Sequence, residues 1–253
     1  MSAQLAAWLA LPEGEALTLL LIVLLAGIVR GFSGFGLSAL TMAAAALIVP
    51  PVQLIPALWF VELTANLLLM KGGFRDGDLK VALPLFIGGT AGWPLGLFLT
   101  TSVSTETSRL VALLLVAALA ALQLANIRIP AMATRPGLYG TGLLSGVASG
   151  LASIGGMVVA VYILSSGQPA WRMRGSMVIY LVLGSATSLA ILLAFGLMDR
   201  EALMRGLVLS VPGALGVLVG VRLFTPRLAL WYRPFCLALI AGLALWGAGR
   251  ALW

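Results

Sequence analysis

Apolar residues occur along this chain in long blocks, and short segments rich in charged residues, proline and glycine separate them. Several blocks approach the roughly 20 residues that an α-helix needs to cross the hydrocarbon core of a bilayer. In that core every backbone polar group needs an internal partner, which a helix provides within one segment. The pattern predicts an all-α integral membrane protein, with room for roughly eight to ten membrane segments.

The apolar segments fall into two sets of five. The first set comprises residues 17–29, 37–49, 52–70, 81–100 and 110–125. The second set comprises residues 138–148, 157–164, 177–195, 203–224 and 235–253. In each set a glycine-rich break separates the first two segments. Each set therefore predicts a broken or re-entrant helix hairpin followed by three transmembrane helices.

The two sets match each other, which indicates an internal repeat. Gly27, Gly31, Gly36 and Pro50 correspond to Gly146, Gly150, Gly155 and Pro169 at a constant offset of 119 residues. Gly89, Gly92 and Gly96 correspond to Gly213, Gly216 and Gly220 at an offset of 124, and we expect these later glycines to pack helices closely. We expect a single membrane domain, 1–253, with repeat one at about 17–126 and repeat two at about 137–253.

Composition supports this prediction and removes other classes of protein. Hydrophobic residues make up 61% of the chain and charged residues 9%, whereas about a quarter of the residues of a soluble domain are charged. The net charge of +7 comes mostly from basic residues in short loops, a pattern that encodes membrane orientation, so we expect no nucleic acid partner. The chain has no histidine, and Cys236 lies in an apolar segment where we expect it to pack, so no metal or cofactor is expected.

The basic residues also predict how the repeats are oriented. The two segments around the first break have 13 residues each by these boundaries, about 20 Å of helix, so we expect a hairpin that enters and leaves on one face. With the N-terminus outside, the loops at 71–80, 126–136, 167–175 and 222–234 lie inside and hold ten basic residues, against four in the outside segments. This asymmetry follows the positive-inside rule. Because three full crossings follow the first hairpin, the second repeat starts on the opposite face, so the two repeats are expected to be inverted. Because the first basic residue is Arg30, we expect no signal peptide to be removed.

The glycine-rich breaks are candidates for an anion site. A helix starts after each break, near Leu37 and near Met157, and a helix N-terminus offers free N–H groups and a partial positive charge. The candidate binding residues are Gly31, Ser33, Gly34 and Gly36 in the first break, and Gly150, Ser153, Gly155 and Gly156 in the second. The alternative is that these glycines only allow the hairpin tips to pack.

Two ionisable residues favour the binding interpretation, because a charge inside an apolar segment is costly and usually functional. Arg30 stands at the first break and is a candidate ligand for the anion, unless it is a tip residue at an interface. Glu62 lies near the middle of segment 52–70 and is a candidate for pairing with Arg30, for carrying a coupling proton, or for both. A purely structural ion pair stays open. Asn66, one turn beyond Glu62, and Ser185, its match in the second repeat, are further candidates for binding.

The chain resembles the TauE/SafE sulfite-exporter family of membrane permeases over almost its whole length. The resemblance rests on the sequences Gly31-Phe32-Ser33-Gly34-Phe35-Gly36 and Ser149-Gly150-Leu151-Ala152-Ser153-Ile154-Gly155-Gly156, on Pro50 and Pro169, and on the loop at 71–80. It implies transport of sulfur-containing anions, such as sulfite or organosulfonates, across the bacterial cytoplasmic membrane, often outward.

These observations predict a secondary transporter of a small sulfur-containing or organic anion, bound near the midplane between the two breaks. An uncoupled anion channel is the first alternative. An intramembrane lipid-phosphate enzyme is the second, and we expect no enzyme because Glu62 is the only acidic residue deep in an apolar segment and no histidine can serve as a base. The expected partners are the small anionic substrate and the lipid bilayer, with a homodimer as one option for the assembly.

Overall fold

A computed structural model describes residues 2–70, 77–166, 170–223 and 226–252, and all regular structure in these ranges is helical. The helices are α1 Ser2–Leu9, α2 Glu13–Ser33, α3 Leu37–Ala45, α4 Pro51–Leu69, α5 Leu79–Ser102, α6 Thr105–Leu124, α7 Arg135–Ala152, α8 Gly155–Ser166, α9 Ala170–Ala194, α10 Arg200–Leu223 and α11 Pro226–Leu252. A short 3-10 helix, η1, covers Pro130–Ala133. The prediction of an all-α fold is confirmed. Residues 71–76 of the first basic loop, and Pro169 of the second repeat, lie outside the described residues.

Seven of these helices are long and apolar enough to cross a membrane, within the part of the chain that the structure describes. They are α2, α4, α5, α6, α9, α10 and α11. Three long helices follow the α2–α3 break, and three more follow the α7–α8 break, as the pattern of apolar segments predicts. The short partners α3 and α8 have nine and 12 residues, which is about 14 Å and about 18 Å of helix.

Local sequence determines several helix ends. Asp78, Ser104 and Thr134 precede α5, α6 and α7, and each side chain accepts a hydrogen bond from a backbone N–H of the first turn. Both α2 and α7 end at a residue in the left-handed conformation, Gly34 with φ of 80° and Ser153 with φ of 57°. These two positions are 119 residues apart, so the same backbone stop recurs at the offset of the first repeat block.

At one end of the bundle, which we call the α1 end, two arginines connect neighbouring segments through hydrogen bonds. Arg205 donates hydrogen bonds to the carbonyl oxygen of Leu9 at 2.9 Å and to the side chain of Gln53 at 3.3 Å. Arg109 donates to the carbonyl oxygen of Ala46 at 2.7 Å. Because Ala46 and Gln53 flank the start of α4, these contacts place the starts of α2, α4, α6 and α10, and the end of α3, at the same end.

The opposite end, which we call the η1 end, brings together three loops. The N–H of Ile129 donates to the hydroxyl of Ser165, and the N–H of Asp78 donates to the hydroxyl of Ser176, both at 2.9 Å. The pair α7–α8 therefore begins and ends at the η1 end, whereas α2–α3 begins and ends at the α1 end. The orientation of these two ends across a membrane, and the inverted repeat, stay predictions.

The first arm of the first hairpin is longer than its apolar block. The block predicts 13 residues from Leu17 to Val29, but α2 has 21 and runs from Glu13 to Ser33. Hydropathy falls at Arg30, whereas the helix continues for another turn because Arg30 is buried against α4 and the backbone turns only at Gly34. The expectation of two arms of equal length was therefore wrong.

Glycine backbones allow two pairs of helices to approach closely. Along α2, Gly27 and Gly31 lie so near α10 that a Cβ added to either would overlap backbone atoms of Gly213 or Val217. Along α5 and α7, the glycines that meet in the same way are Gly88, Gly92, Gly96, Gly142, Gly146 and Gly150. Helices in lipid associate through such close packing of small residues. We expected the later glycines of each repeat to pack helices closely, and Gly92, Gly96, Gly216 and Gly220 do so.

We expect Gly92→Ala to destabilise the protein by roughly 1–3 kcal/mol, because overpacking a close contact forces backbones apart. The new methyl group would overlap the carbonyl oxygen of Leu143 on α7. Thermal unfolding of the purified protein in detergent measures the effect. Gly140→Ala on α7 is the control, since no atom lies within 4 Å of a Cβ built there, and it should keep or raise the melting temperature. Equal melting temperatures for the two variants would contradict the packing argument.

We expect the α1 end to face outward, because the loops at the η1 end hold most of the loop arginines and lysines. Single cysteines at the exposed residues Ser102 and Ala133, in a Cys236→Ala background, report the two ends. An impermeant thiol reagent should label the cysteine at 102 in intact cells, and the cysteine at 133 only after the membrane is opened. The reverse labelling would refute this orientation.

Candidate functional site

Both helix breaks border one cavity inside the bundle. It holds about 890 Å³ of empty space, a volume that includes a part open to solvent. Since α3 comes from the α1 end and α8 from the η1 end, and neither is long enough to cross the bundle, their N-terminal ends face the cavity from opposite sides. Gly36, Ser38 and Ala39 contribute to the lining from the first break, and residues 153–157 from the second.

Eight of the residues predicted to bind or couple line this cavity. They are Arg30, Gly36, Glu62, Asn66, Ser153, Gly155, Gly156 and Ser185. Residues that are up to 155 positions apart in the chain are therefore brought to one place. The side chain of Ser33, the last residue of α2, lies outside the described residues.

Three predicted glycines do not reach the cavity lining. Gly31 lies inside α2 and packs against the backbone of α10, and Gly150 lies inside α7 and packs against the backbone of α5. Gly34 terminates α2, and its missing side chain leaves open space, with no atom within 4 Å. In this structure the first two permit helix packing, and the third permits the left-handed turn.

Arg30 forms the charged centre of the cavity. Its side chain extends from α2 and is 5% exposed. One terminal nitrogen donates to Oδ1 of Asn66 at 2.6 Å and lies 3.6 Å from Oε2 of Glu62. The Nε–H of Arg30 is buried and has no hydrogen-bond partner among the described residues. A guanidinium has five N–H donors, so this cation keeps donor capacity for another acceptor.

Glu62 caps the start of α3. Its Oε1 accepts hydrogen bonds from the hydroxyl of Ser38 at 2.7 Å and from the N–H of Ser38 at 3.3 Å. Ser38 is the second residue of α3, so its N–H is among the donors that a helix leaves free at its start. The positive end of the α3 dipole and the guanidinium of Arg30 thus share one carboxylate.

The start of α8 has no acidic side chain in contact with it among the described residues. The hydroxyl of Ser145 donates to the carbonyl oxygen of Gly155 at 2.9 Å and lies 2.8 Å from the hydroxyl of Tyr180. A helix leaves its first N–H groups without partners inside the helix, and Gly155 and Gly156, which carry the first of these groups in α8, line the cavity. The hydroxyl of Thr90, also in the lining, has no partner among the described residues.

The cavity also contains residues that sequence reasoning did not select. They are Ser38, Ile55, Trp59, Leu63, Phe86, Thr90, Trp93, Ser149, Tyr180 and Ser188, among others. Ser149 lies 119 residues after Arg30, so the repeat offset could have identified it. The Nε1–H of Trp59 donates to the carbonyl oxygen of Ser185 at 3.1 Å and to the hydroxyl of Ser188 at 3.0 Å. This bond joins α4 to α9 across the lining.

Fold and cavity together define the class of protein: a multi-pass membrane protein with an interior cavity, lined by polar and apolar side chains, between two broken helices, as secondary transporters have. The chain belongs to the sulfite exporter TauE/SafE family, whose model matches residues 19–246. It is therefore a membrane permease and not an enzyme, as the sequence predicted. Comparison with curated proteins and with solved structures finds no match.

The contacts predict strong energetic coupling between Arg30 and Glu62. Arg30→Met leaves the Glu62 carboxylate without its cation, and Glu62→Gln leaves the cation without its carboxylate, so each should destabilise the protein by on the order of 3 kcal/mol. The double variant should lose clearly less than the sum of the two. Denaturant unfolding of the four proteins at neutral pH completes the cycle. Simple additivity would show that the two charges do not interact.

Proposed function

We propose that this permease transports a small sulfur-containing or organic anion, such as sulfite or an organosulfonate, and binds it in the cavity between the two helix breaks. The observation that supports the proposal most directly is Arg30, a buried cation with an unused N–H in a cavity inside a membrane protein. A buried donor without a partner loses its hydration without compensation. A negatively charged oxygen placed beside Arg30 would supply the missing acceptor.

The start of α8 supports the second half of the anion site. Helix N-termini bind sulfate, phosphate and carboxylate groups through free N–H donors and the helix dipole. A Cβ built on Gly156 would meet only the side chain of Met177, at 3.8 Å, so Gly156 leaves the first turn of α8 open, and the neighbouring Ser153 adds a hydroxyl. Gly155 lets the same turn pack closely against Ser145 and Ser149 of α7. In this proposal an oxyanion lies between the guanidinium of Arg30 and the first turn of α8, with Asn66 holding Arg30 in position.

The apolar part of the lining favours an anion with an organic group. Trp59, Phe86 and Trp93 border the same cavity as Arg30, and binding pockets combine apolar walls with a few placed polar groups. Sulfite has no apolar surface to bury there, whereas the carbon chain of an organosulfonate does. We therefore propose an organosulfonate as the preferred substrate, exported across the bacterial cytoplasmic membrane.

Ligand-dependent thermal stability of the purified protein tests this site, because a ligand stabilises the state that it binds. Propanesulfonate and sulfite should raise the melting temperature in a saturable way, propanesulfonate at lower concentration, whereas equal concentrations of sodium chloride should not. Gly184→Leu should weaken the effect at least tenfold. Gly184 borders the cavity, and no atom lies within 4 Å of a Cβ built on it, so a leucine extends into open space there. Gly140→Leu on the outside of α7 is the matched control.

Flux measurements in proteoliposomes complete the test. A carrier gives saturable flux and counter-exchange between labelled and unlabelled anion, and Gly184→Leu should reduce both. Flux that rises linearly with concentration and shows no counter-exchange would establish a channel instead. Saturable stabilisation that is identical in the Gly184 and Gly140 variants would place the anion outside this cavity.

A further inference from the structure

The donors that an anion would use at the first break are already engaged by Glu62. Its Oε1 accepts from the hydroxyl and the N–H of Ser38 at the start of α3, and its Oε2 lies 3.6 Å from the guanidinium of Arg30. We propose that Glu62 is an internal competitor of the transported anion, and that the anion binds together with one proton, which Glu62 accepts. This inference rests on the proposed function and adds the proton as a second transported ion.

The net charge of the cavity favours binding of an anion together with one proton. Among the described residues the lining contains one basic side chain, Arg30, and one acidic side chain, Glu62. With both ionised, the pair has no net charge. A monovalent anion that entered this pair would leave an excess negative charge in a poorly solvated space, and such an uncompensated charge costs several kcal/mol. One proton on Glu62 restores neutrality.

Protonation also changes what Glu62 does to its neighbours. A neutral carboxyl group interacts weakly with a guanidinium and with a helix dipole compared with a carboxylate. Arg30 and the N–H of Ser38 are then available to the oxyanion, while the carboxyl group keeps a hydrogen bond with the hydroxyl of Ser38. The side chain of Glu62 is 23% exposed, so water in the cavity can deliver the proton to it.

No other described ionisable group is placed to take over this role. Tyr180 also lines the cavity, but its hydroxyl is engaged with Ser145 and a phenol is neutral at physiological pH. The remaining charged residues at or on the helices that pack against α4 are Glu13, Glu15, Asp78, Lys80, Glu106, Arg109, Arg135, Arg200, Glu201, Arg205 and Arg222, together with Arg172 and Arg174, whose side chains lie outside the described residues. None of the eleven whose side chains the structure describes is in the cavity lining. Arg205 and Glu201 pair with each other near Gln53, more than two turns of α4 away from Glu62.

The consequence for transport is co-movement of proton and anion in the same direction. The empty cavity is neutral because Glu62 neutralises Arg30, and the loaded cavity is neutral because the anion does. In both forms the cavity can therefore switch its opening from one side of the membrane to the other without moving net charge through the bilayer, where charge is expensive. The export that we propose then requires, for a monovalent anion, an outward gradient of the anion that exceeds the inward gradient of protons.

The test is the pH dependence of binding, with propanesulfonate as the probe because its own charge does not change between about pH 5 and pH 9. Ionised Glu62 competes with the anion, so raising the pH weakens binding. For one proton per anion, Kd rises by about tenfold per pH unit once free Glu62 is mostly ionised. Glu62→Gln should bind at every pH with an affinity that stays constant. Glu106→Gln, which alters a glutamate paired with Arg109 outside the cavity, should keep the wild-type dependence.

A direct count of protons makes the test independent of the variants. Addition of propanesulfonate to the wild-type protein in weakly buffered solution with a pH indicator should cause uptake of close to one proton per bound anion at a pH where Glu62 is ionised. Binding with constant affinity and no proton uptake would overturn the competitor model and leave the anion transporter intact. Absence of propanesulfonate binding at every pH would overturn the organosulfonate site as well.

Discussion

Helices that start inside a membrane create the constraint on which this site depends. The first N–H groups of α3 and α8 have no partner within their own helices, and lipid offers none. The structure brings both starts to one cavity, where α3 is satisfied by a carboxylate of α4 and α8 faces open space. A polar cavity at this place follows from the two breaks, because unpaired donors need a partner that apolar residues cannot supply.

The glycines outside the cavity explain how such a site is held. Each broken helix is supported by a long helix from the other half of the chain: α2 by α10, and α7 by α5. The contact surfaces use backbone atoms, so the distance between helices leaves little freedom. The side chain of Arg30 extends from α2 next to Gly31, and the side chain of Ser149 extends from α7 next to Gly150. The rigid glycine contacts therefore fix the two positions from which the cavity receives Arg30 and Ser149.

Much of this arrangement could be predicted from the sequence, because the physical signals are local. Hydropathy reveals helices that need lipid, and glycine clusters show where a helix breaks. An arginine and a glutamate in apolar segments require each other or a ligand, and Arg30, Glu62 and Asn66 are indeed together. The offset of 119 residues relates Asn66 to Ser185 and Gly36 to Gly155, and all four line the cavity.

The errors have equally physical causes. Hydropathy assigns a charged residue to a loop, but Arg30 is compensated by α4, so α2 continues to Ser33. Composition cannot tell a glycine that approaches a ligand from one that approaches a helix, so Gly31 and Gly150 were candidates for binding although they pack against neighbouring helices. Thr90 and Trp93 reach the cavity lining because of how α5 packs against α7. The glycines of α5 predict a close contact but not which helix makes it. The bond between Ser38 and Glu62 likewise depends on the angle between α3 and α4.

The two breaks share a backbone plan but differ in charge, and this difference bears on mechanism. Position 30 is arginine where the second repeat has Ser149, and position 62 is glutamate where it has Leu181. One half therefore carries a cation and its carboxylate, and the other carries only dipoles and hydroxyls. A symmetric pair of dipoles would attract an anion equally in all states and give no means of release. In the mechanism that we propose, the carboxylate of Glu62, present in one half alone, replaces the departing anion, so we expect the first half to supply the chemistry of release.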